Sequence, residues 1–127
     1  MPQPKTVPFF SEKELSCKHC GKNKMVPSFM QKIVKLRREL NFPFVVTSAY
    51  RCPAHNKKVS TTGEDGPHTT GRAIDIAVQG DLAYRLVAAA LREGFTGIGV
   101  SQKGTSRFIH LDDLDAVEHA RPRIWSY

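Results

Sequence analysis

The segment GPHTTGRAIDI, residues 66–76, decides the fold because it places a polar turn directly before a buried strand. Ile74 and Ile76 point to one face of that strand, so Asp75 points to the other, between two alanines. A carboxylate in so apolar a strand must be paired, hydrogen-bonded or bound to a metal. Gly71 removes a side chain where the backbone turns sharply or approaches another segment. The segment predicts a strand whose carboxylate needs a partner.

Hydrophobic periodicity around this strand predicts an α+β fold. Phe29, Ile33 and Leu36 recur on one face of a helix that opens at Pro27 and ends at Pro43. The other predicted elements are a helical turn at residues 11–15, strands at residues 44–50, 73–78, 97–102 and 107–112, a loop at residues 54–67, and a helix at residues 81–93. A short Gly-containing connection joins the last two strands as an antiparallel hairpin. Helices are therefore expected on one face of a mostly antiparallel sheet.

Local patterns predict helix ends and domain limits. Ser28 and Gln31 have the spacing of a capping box, and Asp81 has the position of an N-cap. Residues 1–25 are rich in Pro, Lys and Ser with little periodicity, which predicts an N-terminal arm. Residues 26–127 are then the single folded domain.

A second segment, RFIHLDD at residues 107–113, places His110 in the middle of a strand beside carboxylates. A lone strand histidine is more often structural than a metal ligand, but His68 and Asp75 offer two further donors. Two histidines and one carboxylate form a recognised catalytic zinc set whose fourth position is left to water. Zinc would lower the pKa of that water to about 7 and polarise a carbonyl. The sequence predicts one zinc ion per chain, bound by His68, Asp75 and His110.

Three stretches of the chain resemble one known family: SAYRCPAHN, HTTGRAID and FIHLDD, at residues 48–56, 68–75 and 108–113. They resemble the zinc D-alanyl-D-alanine carboxypeptidase and murein endopeptidase family, especially its short phage-encoded members. The family pattern His-x-x-Gly-x-Ala-x-Asp is matched from His68 to Asp75. The resemblance implies that these two residues and His110 are zinc ligands. It also implies the fold that these peptidases share with hedgehog signalling domains.

The same resemblance suggests residues that contact substrate. Arg51 matches an arginine that could hold a substrate carbonyl or carboxylate as charge develops. Its alternative role is a surface salt bridge. His55 and Asn56 also resemble family positions, where either substrate contact or bracing of the loop is expected.

Two features depart from the family pattern. Gly66 stands where many relatives carry a serine, which removes a possible hydroxyl hydrogen bond. Relatives also carry a general base shortly before the last ligand, a Glu three residues earlier or a His two residues earlier. Here those positions are Arg107 and Phe108. The proton acceptor must therefore come from elsewhere.

Asp112 is the first candidate for that proton acceptor. It shares a strand face with His110, about 6.6–6.8 Å along the strand, and could reach a water at the metal. A hydrogen bond from a histidine ligand to Asp112 is the equal alternative. Asp113 and Glu64 are weaker candidates.

The three cysteines, Cys17, Cys20 and Cys52, cannot all be paired within one chain. The segment CKHCG has the Cys-x-x-Cys spacing of half a zinc ribbon. A structural tetrahedral site would need Cys52 or His19 to complete it. The alternative is that all three are ordinary reduced thiols.

The charge and hydropathy of the chain limit its expected location and its expected partners. The formal net charge of +7 would suit nucleic acid or an anionic envelope, but the basic residues are scattered and no nucleic-acid motif accompanies them. No apolar run approaches the roughly 20 residues of a membrane span, and the N-terminal segment lacks the apolar centre of a signal peptide. We expect synthesis in the cytoplasm, with delivery to the cell wall by a phage lysis system or on a phage particle.

The leading hypothesis is a zinc-dependent, endolysin-like peptidase that cuts a peptide bond in the stem or cross-bridge of bacterial peptidoglycan. The missing base before His110 motivates an alternative, a wall-binding or phage structural module that keeps a structural zinc site without catalysis. A third hypothesis, nucleic-acid binding driven by charge, predicts association that weakens steeply with salt.

Overall fold

The structure of the protein is a computed structural model that describes residues 7–61, 63–117 and 119–127, except for the side chain of Glu64. In chain order its helices and strands are α1 (Glu12–Leu15), α2 (Pro27–Leu40), β1 (Val45–Ser48), α3 (Pro53–Val59), β2 (Ala73–Ala77), α4 (Gly80–Arg92), β3 (Gly97–Ser101), β4 (Phe108–Asp112) and β5 (Arg123–Ser126). Short 3₁₀ turns, Gly63–Asp65 and Pro67–Thr70, connect α3 to β2. Among the helices described, none is long and apolar enough to cross a membrane.

Within the described ranges, five strands form one sheet in the order β1-β2-β4-β3-β5. Neighbouring strands pair antiparallel except β3 and β5, which are parallel. Asp75 of β2 lies opposite His110 of β4, and His110 lies opposite Gly99 of β3. The predicted α+β class and the antiparallel hairpin of β3 and β4 are confirmed.

The hydrophobic core lies between the helices and one face of the sheet. Phe29, Ile33 and Leu36 of α2 are fully buried, as the predicted helical face requires. Ile74 and Ile76 of β2 belong to the same core cluster. Each fully buried side chain of this kind stabilises the fold by about 1.5–3 kcal/mol. The residue between the two isoleucines faces the other side of the sheet.

The N-terminal residues 7–25 pack against this core. α1 begins with a complete capping box, and Leu15 at its end is 1% exposed. The close approach predicted at Gly71 is confirmed, because a β-carbon there would collide with the backbone carbonyl of Lys24. Gly71 also has a φ of +76°, which favours glycine.

The loop predicted at residues 54–67 is wrong, because these residues contain most of α3 and the 3₁₀ turn Gly63–Asp65. Pro53 suits the first position of α3. Within this helix Asn56 is the buried residue, so no apolar stripe indicates a helix in the sequence.

Two predicted helix caps are also wrong. The N-cap of α2 is Val26, which makes no side-chain cap, and the Ser28 hydroxyl instead accepts a hydrogen bond from Arg72. The N-cap of α4 is Gln79, and Asp81 lies in the first turn. A negative charge there still interacts favourably with the helix dipole.

Candidate metal centre

The three predicted ligands lie together on the sheet face turned away from the core. Asp75 and His110 are direct neighbours across β2 and β4, and His68 approaches from the 3₁₀ turn Pro67–Thr70. His68 Nε2 lies 3.2 Å and His110 Nδ1 lies 2.9 Å from Asp75 Oδ1. Each residue is buried, and their ligand atoms all lie within 4.8 Å of one another.

Hydrogen bonds orient both imidazole rings toward this point. The carbonyl of Ala49 can only accept, and it lies 2.7 Å from His68 Nδ1, so Nδ1 carries the proton and Nε2 keeps its lone pair. Asp112 Oδ2 lies 2.7 Å from His110 Nε2 and can accept a hydrogen bond there, while His110 Nδ1 faces Asp75 Oδ1 at 2.9 Å. Metal-binding histidines typically donate their second N–H to a carbonyl or carboxylate. The donor set fits a zinc ion with its fourth position open.

A cavity of about 680 Å³ opens above these ligands. Its size lies within the roughly 300–1,000 Å³ typical of small-ligand sites. We call His68, Asp75 and His110 the cavity floor. The C-terminal segment contributes what we call the tail wall: His119, Arg121, Arg123, Trp125 and Tyr127. Arg51 and Phe108 also line the cavity.

Comparison with protein-family models matches residues 8–112 to the family described as Peptidase M15. The chain belongs to the Peptidase M15 family. The family resemblance predicted from the sequence is thereby confirmed. The family consists of zinc peptidases, so a metallopeptidase class is supported for this chain. No curated protein matches it.

In this M15 domain Asp112 is fully buried beside the floor. Arg121 binds both of its oxygens at 2.8 Å, through Nε and Nη2, and His110 Nε2 lies 2.7 Å from Oδ2. Gly97 makes room for it, since a β-carbon there would overlap the carboxylate. Of the two roles that the sequence allows for Asp112, these contacts favour the one in which it orients His110.

The carboxylates of the M15 site are held ionised. Burial alone would raise the pKa of Asp75, but attraction to His68 and the hydrogen bond with His110 hold it well below the ordinary carboxyl range. Burial also opposes ionisation of Asp112, yet Arg121 and His110 lower its pKa to about 2. Burial lowers the pKa of His110, whereas Asp112 and Asp75 raise it, with a net increase. Asp75 is therefore an ionised carboxylate at the floor, as a metal ligand must be.

Arg51 lines the cavity and is braced from two sides. Its Nε donates to Ser48 Oγ at 3.1 Å and its Nη1 donates to Asn56 Oδ1 at 2.9 Å. Its Nη2 lies 3.9 Å from Asp75 Oδ2. Asn56 is 1% exposed and donates to the carbonyl of Gly63. Asn56 thus holds Arg51 and the following loop, in line with the bracing alternative.

Two further candidates from the sequence, His55 and Asp113, lie away from the floor. His55 stacks on His19, with ring centroids 5.8 Å apart, and is not part of the cavity lining. Asp113 is paired with Arg72, at 2.6 Å, and with Lys32, at 2.8 Å. Asp113, the residue after β4, thus links Lys32 of α2 to Arg72, the residue before β2, and does not line the cavity. The side chain of Glu64 lies outside the described residues.

The tail wall is the part of the site that sequence reasoning missed. The ring centroid of Trp125 lies 5.0 Å from that of His110, and Trp125 packs over Gly99, where a β-carbon would clash with the indole. The tail carries the chain's one Trp shortly after two arginines, and this combination was the indication that the sequence offered.

Proposed function

We propose that the protein is a zinc-dependent peptidase that hydrolyses a peptide bond in the stem or cross-bridge of bacterial peptidoglycan. The observation that carries the proposal is the convergence of two histidines and one carboxylate on the floor of an open cavity. Membership of the M15 family supports the peptidase class. Delivery to the wall by a phage lysis system or phage particle is part of the proposal.

His68 Nε2, an Asp75 oxygen and His110 Nδ1 would hold the zinc. A bound zinc supplies a Lewis acid that acidifies water and polarises a carbonyl. Arg51 would donate to the substrate carbonyl or terminal carboxylate from its braced position. Asp112 would keep His110 Nε2 protonated. His119 and Tyr127 are the tail-wall groups able to exchange a proton with substrate.

The cavity lining supports a substrate that carries carboxylates. Arg51 and Arg123 line it together with the aromatic side chains of Phe108, Trp125 and Tyr127, whereas the third arginine of the lining, Arg121, is paired with Asp112. Arginine pairs well with carboxylates, and aromatic rings contribute apolar contact area. Peptidoglycan stem peptides offer both carboxylates and short aliphatic side chains. A terminal carboxylate on Arg51 would make the enzyme a carboxypeptidase, and an internal carbonyl there would make it an endopeptidase.

Digestion of purified peptidoglycan, followed by mass spectrometry of the muropeptides, tests the proposal. We expect new products whose masses identify the bond, loss of product with a chelator, and recovery on adding zinc. Asp75→Asn should be inactive and Asp81→Asn, an exposed carboxylate on α4, should be active. Unchanged cleavage without metal would contradict the proposal.

A non-catalytic wall-binding or phage structural module with a structural zinc is the second candidate. The engagement of both Asp112 oxygens, together with Arg107 and Phe108 at the family's base positions, favours it. It predicts zinc at the floor and sedimentation with peptidoglycan, but no product after long incubation.

A further inference from the structure

We propose that Cys17, Cys20, Cys52 and His19 bind a second zinc ion, a structural one that fastens the N-terminal segment to the loop carrying Arg51. The sulfur atoms of the three cysteines all lie within 4.8 Å of one another. Cys17 comes from the segment after α1, and Cys52 is the N-cap of α3. The cluster therefore joins two parts of the chain that are 35 residues apart.

The spacing of the donor atoms suits a tetrahedral site. Zinc–sulfur bonds of about 2.3 Å place neighbouring sulfurs about 3.8 Å apart in a tetrahedron. A histidine nitrogen in the same tetrahedron lies about 3.6 Å from each sulfur. The three sulfurs form the group that lies within 4.8 Å, and His19 Nδ1, 3.4 Å from Cys52 Sγ, is the residue we assign as the fourth ligand. Cys₃His is a recognised donor set of closed structural zinc sites.

The backbone around Cys17 and Cys20 is already shaped for such a site. Gly21 N donates to the Cys17 carbonyl at 2.8 Å, and Cys17 N donates to the Lys22 carbonyl at 2.8 Å, so the segment forms a tight turn. Gly21 has a φ of +75°, which favours glycine. The N–H of Cys52 donates to Cys17 Sγ at 3.3 Å. Outer hydrogen bonds of this kind orient ligands in metal sites.

A zinc ion at this cluster would stiffen the segment before Cys52, which carries Arg51. Tyr50 N donates to the Leu15 carbonyl, and Arg51 N donates to the His68 carbonyl at 3.1 Å. The carbonyl of Ala49 accepts from His68 Nδ1. Fixing Cys52 would therefore restrain Ala49, Tyr50 and Arg51. Ala49 in turn orients His68 of the cavity floor.

Metal analysis of two complementary variants tests the second site separately from the first. Purified wild-type protein should contain two zinc ions per chain. The double variant His68→Ala/Asp75→Asn should retain one, and Cys20→Ser, at an exposed position, should lose the other. Cobalt substituted into the double variant should give a thiolate-to-cobalt charge-transfer band that Cys20→Ser abolishes.

One zinc per chain in the wild type, lost completely in the double variant, would overturn the second site and leave the proposed function intact. Zinc retained at full occupancy in the double variant after Cys20→Ser would overturn it as well. The reverse result, no zinc at the floor but one held by thiolates, would refute the proposed function alone.

Thermal unfolding of the double variant gives a readout independent of activity. Adding a chelator should lower its Tm, and Cys20→Ser should make the Tm insensitive to the chelator. His19→Ala should weaken zinc binding by at least the roughly 10- to 100-fold that loss of an outer partner costs. His119→Ala is the matched control and should bind this zinc unchanged. Equal zinc affinity in the two histidine variants would overturn His19 as the fourth ligand.

Discussion

The cavity floor and the tail wall are built in different ways. The floor rests on β2 and β4, whose antiparallel register places Asp75 opposite His110. The tail wall rests on β5, which pairs in parallel with β3 at the edge of the sheet and follows the last residue matched to the family. Floor residues are buried, whereas Tyr127 is 64% exposed. From this difference we infer that the floor holds the metal and the tail wall meets the substrate.

Removing a floor ligand should have the largest effect. Asp75→Asn keeps the shape of the side chain but removes the charge that binds the cation. We expect the loss of one zinc per chain and a fall in peptidoglycan cleavage of more than about 1,000-fold, since a Lewis-acid metal supplies several kcal/mol. Metal analysis and muropeptide release measure both effects. Asp81→Asn is the control, and zinc retained by Asp75→Asn would contradict the assignment of the floor.

Arg51 lines the cavity beside the floor. Its substitution tests whether a cavity residue can affect cleavage without affecting zinc binding. Arg51→Ala should lower kcat by about 100- to 1,000-fold, as loss of one donor to developing charge does, with zinc content unchanged. Arg51→Lys should recover part of the activity. Arg92→Ala, an exposed arginine on α4, should behave as wild type. Full activity of Arg51→Ala would show that Arg51 only stabilises the loop and does not contact the substrate.

The floor could be predicted from the sequence because its chemistry is local. The alternation of side chains along a strand identifies Asp75 as a carboxylate among apolar residues. The sequence also predicts His110 in the middle of a later strand. Arg51 is instead predicted from the family resemblance, as the residue that follows the first predicted strand. The ligand assignment itself stays a prediction until metal is measured.

The tail wall and α3 could not be predicted because their formation depends on distant partners. β5 pairs with a strand that begins at Gly97, opposite Arg123, and sequence periodicity carries no information about that pairing. α3 buries Asn56 through hydrogen bonds to Arg51 and Gly63. Asp112 shows the same limit, since the sequence does not indicate that Arg121 is its partner.

Asp112→Asn should have an intermediate effect on zinc binding at the floor. Loss of the acceptor for His110 Nε2 should weaken zinc binding by about 10- to 100-fold, and excess zinc should restore cleavage. If Asp112 instead accepted the proton in catalysis, excess zinc would restore nothing and the acid limb of the pH profile would change. Asp113→Asn is the matched control, because Asp113 is also a buried, arginine-paired carboxylate. It should lower stability without changing zinc affinity.

Trp125→Ala should give the smallest effect and separates the two regions most directly. The indole packs on His110 but offers no ligand atom, so zinc affinity should stay unchanged while KM rises. Aromatic contacts contribute about 0.5–1.5 kcal/mol, which corresponds to a rise in KM of about 2- to 12-fold. Trp125→Phe should recover most of the loss, and Tyr84→Ala, an exposed aromatic on α4, should change nothing. A drop in zinc affinity for Trp125→Ala would show instead that the tail wall is needed to hold His110 in place. The division between metal-holding floor and substrate-facing wall would then be wrong, because β5 would belong to both.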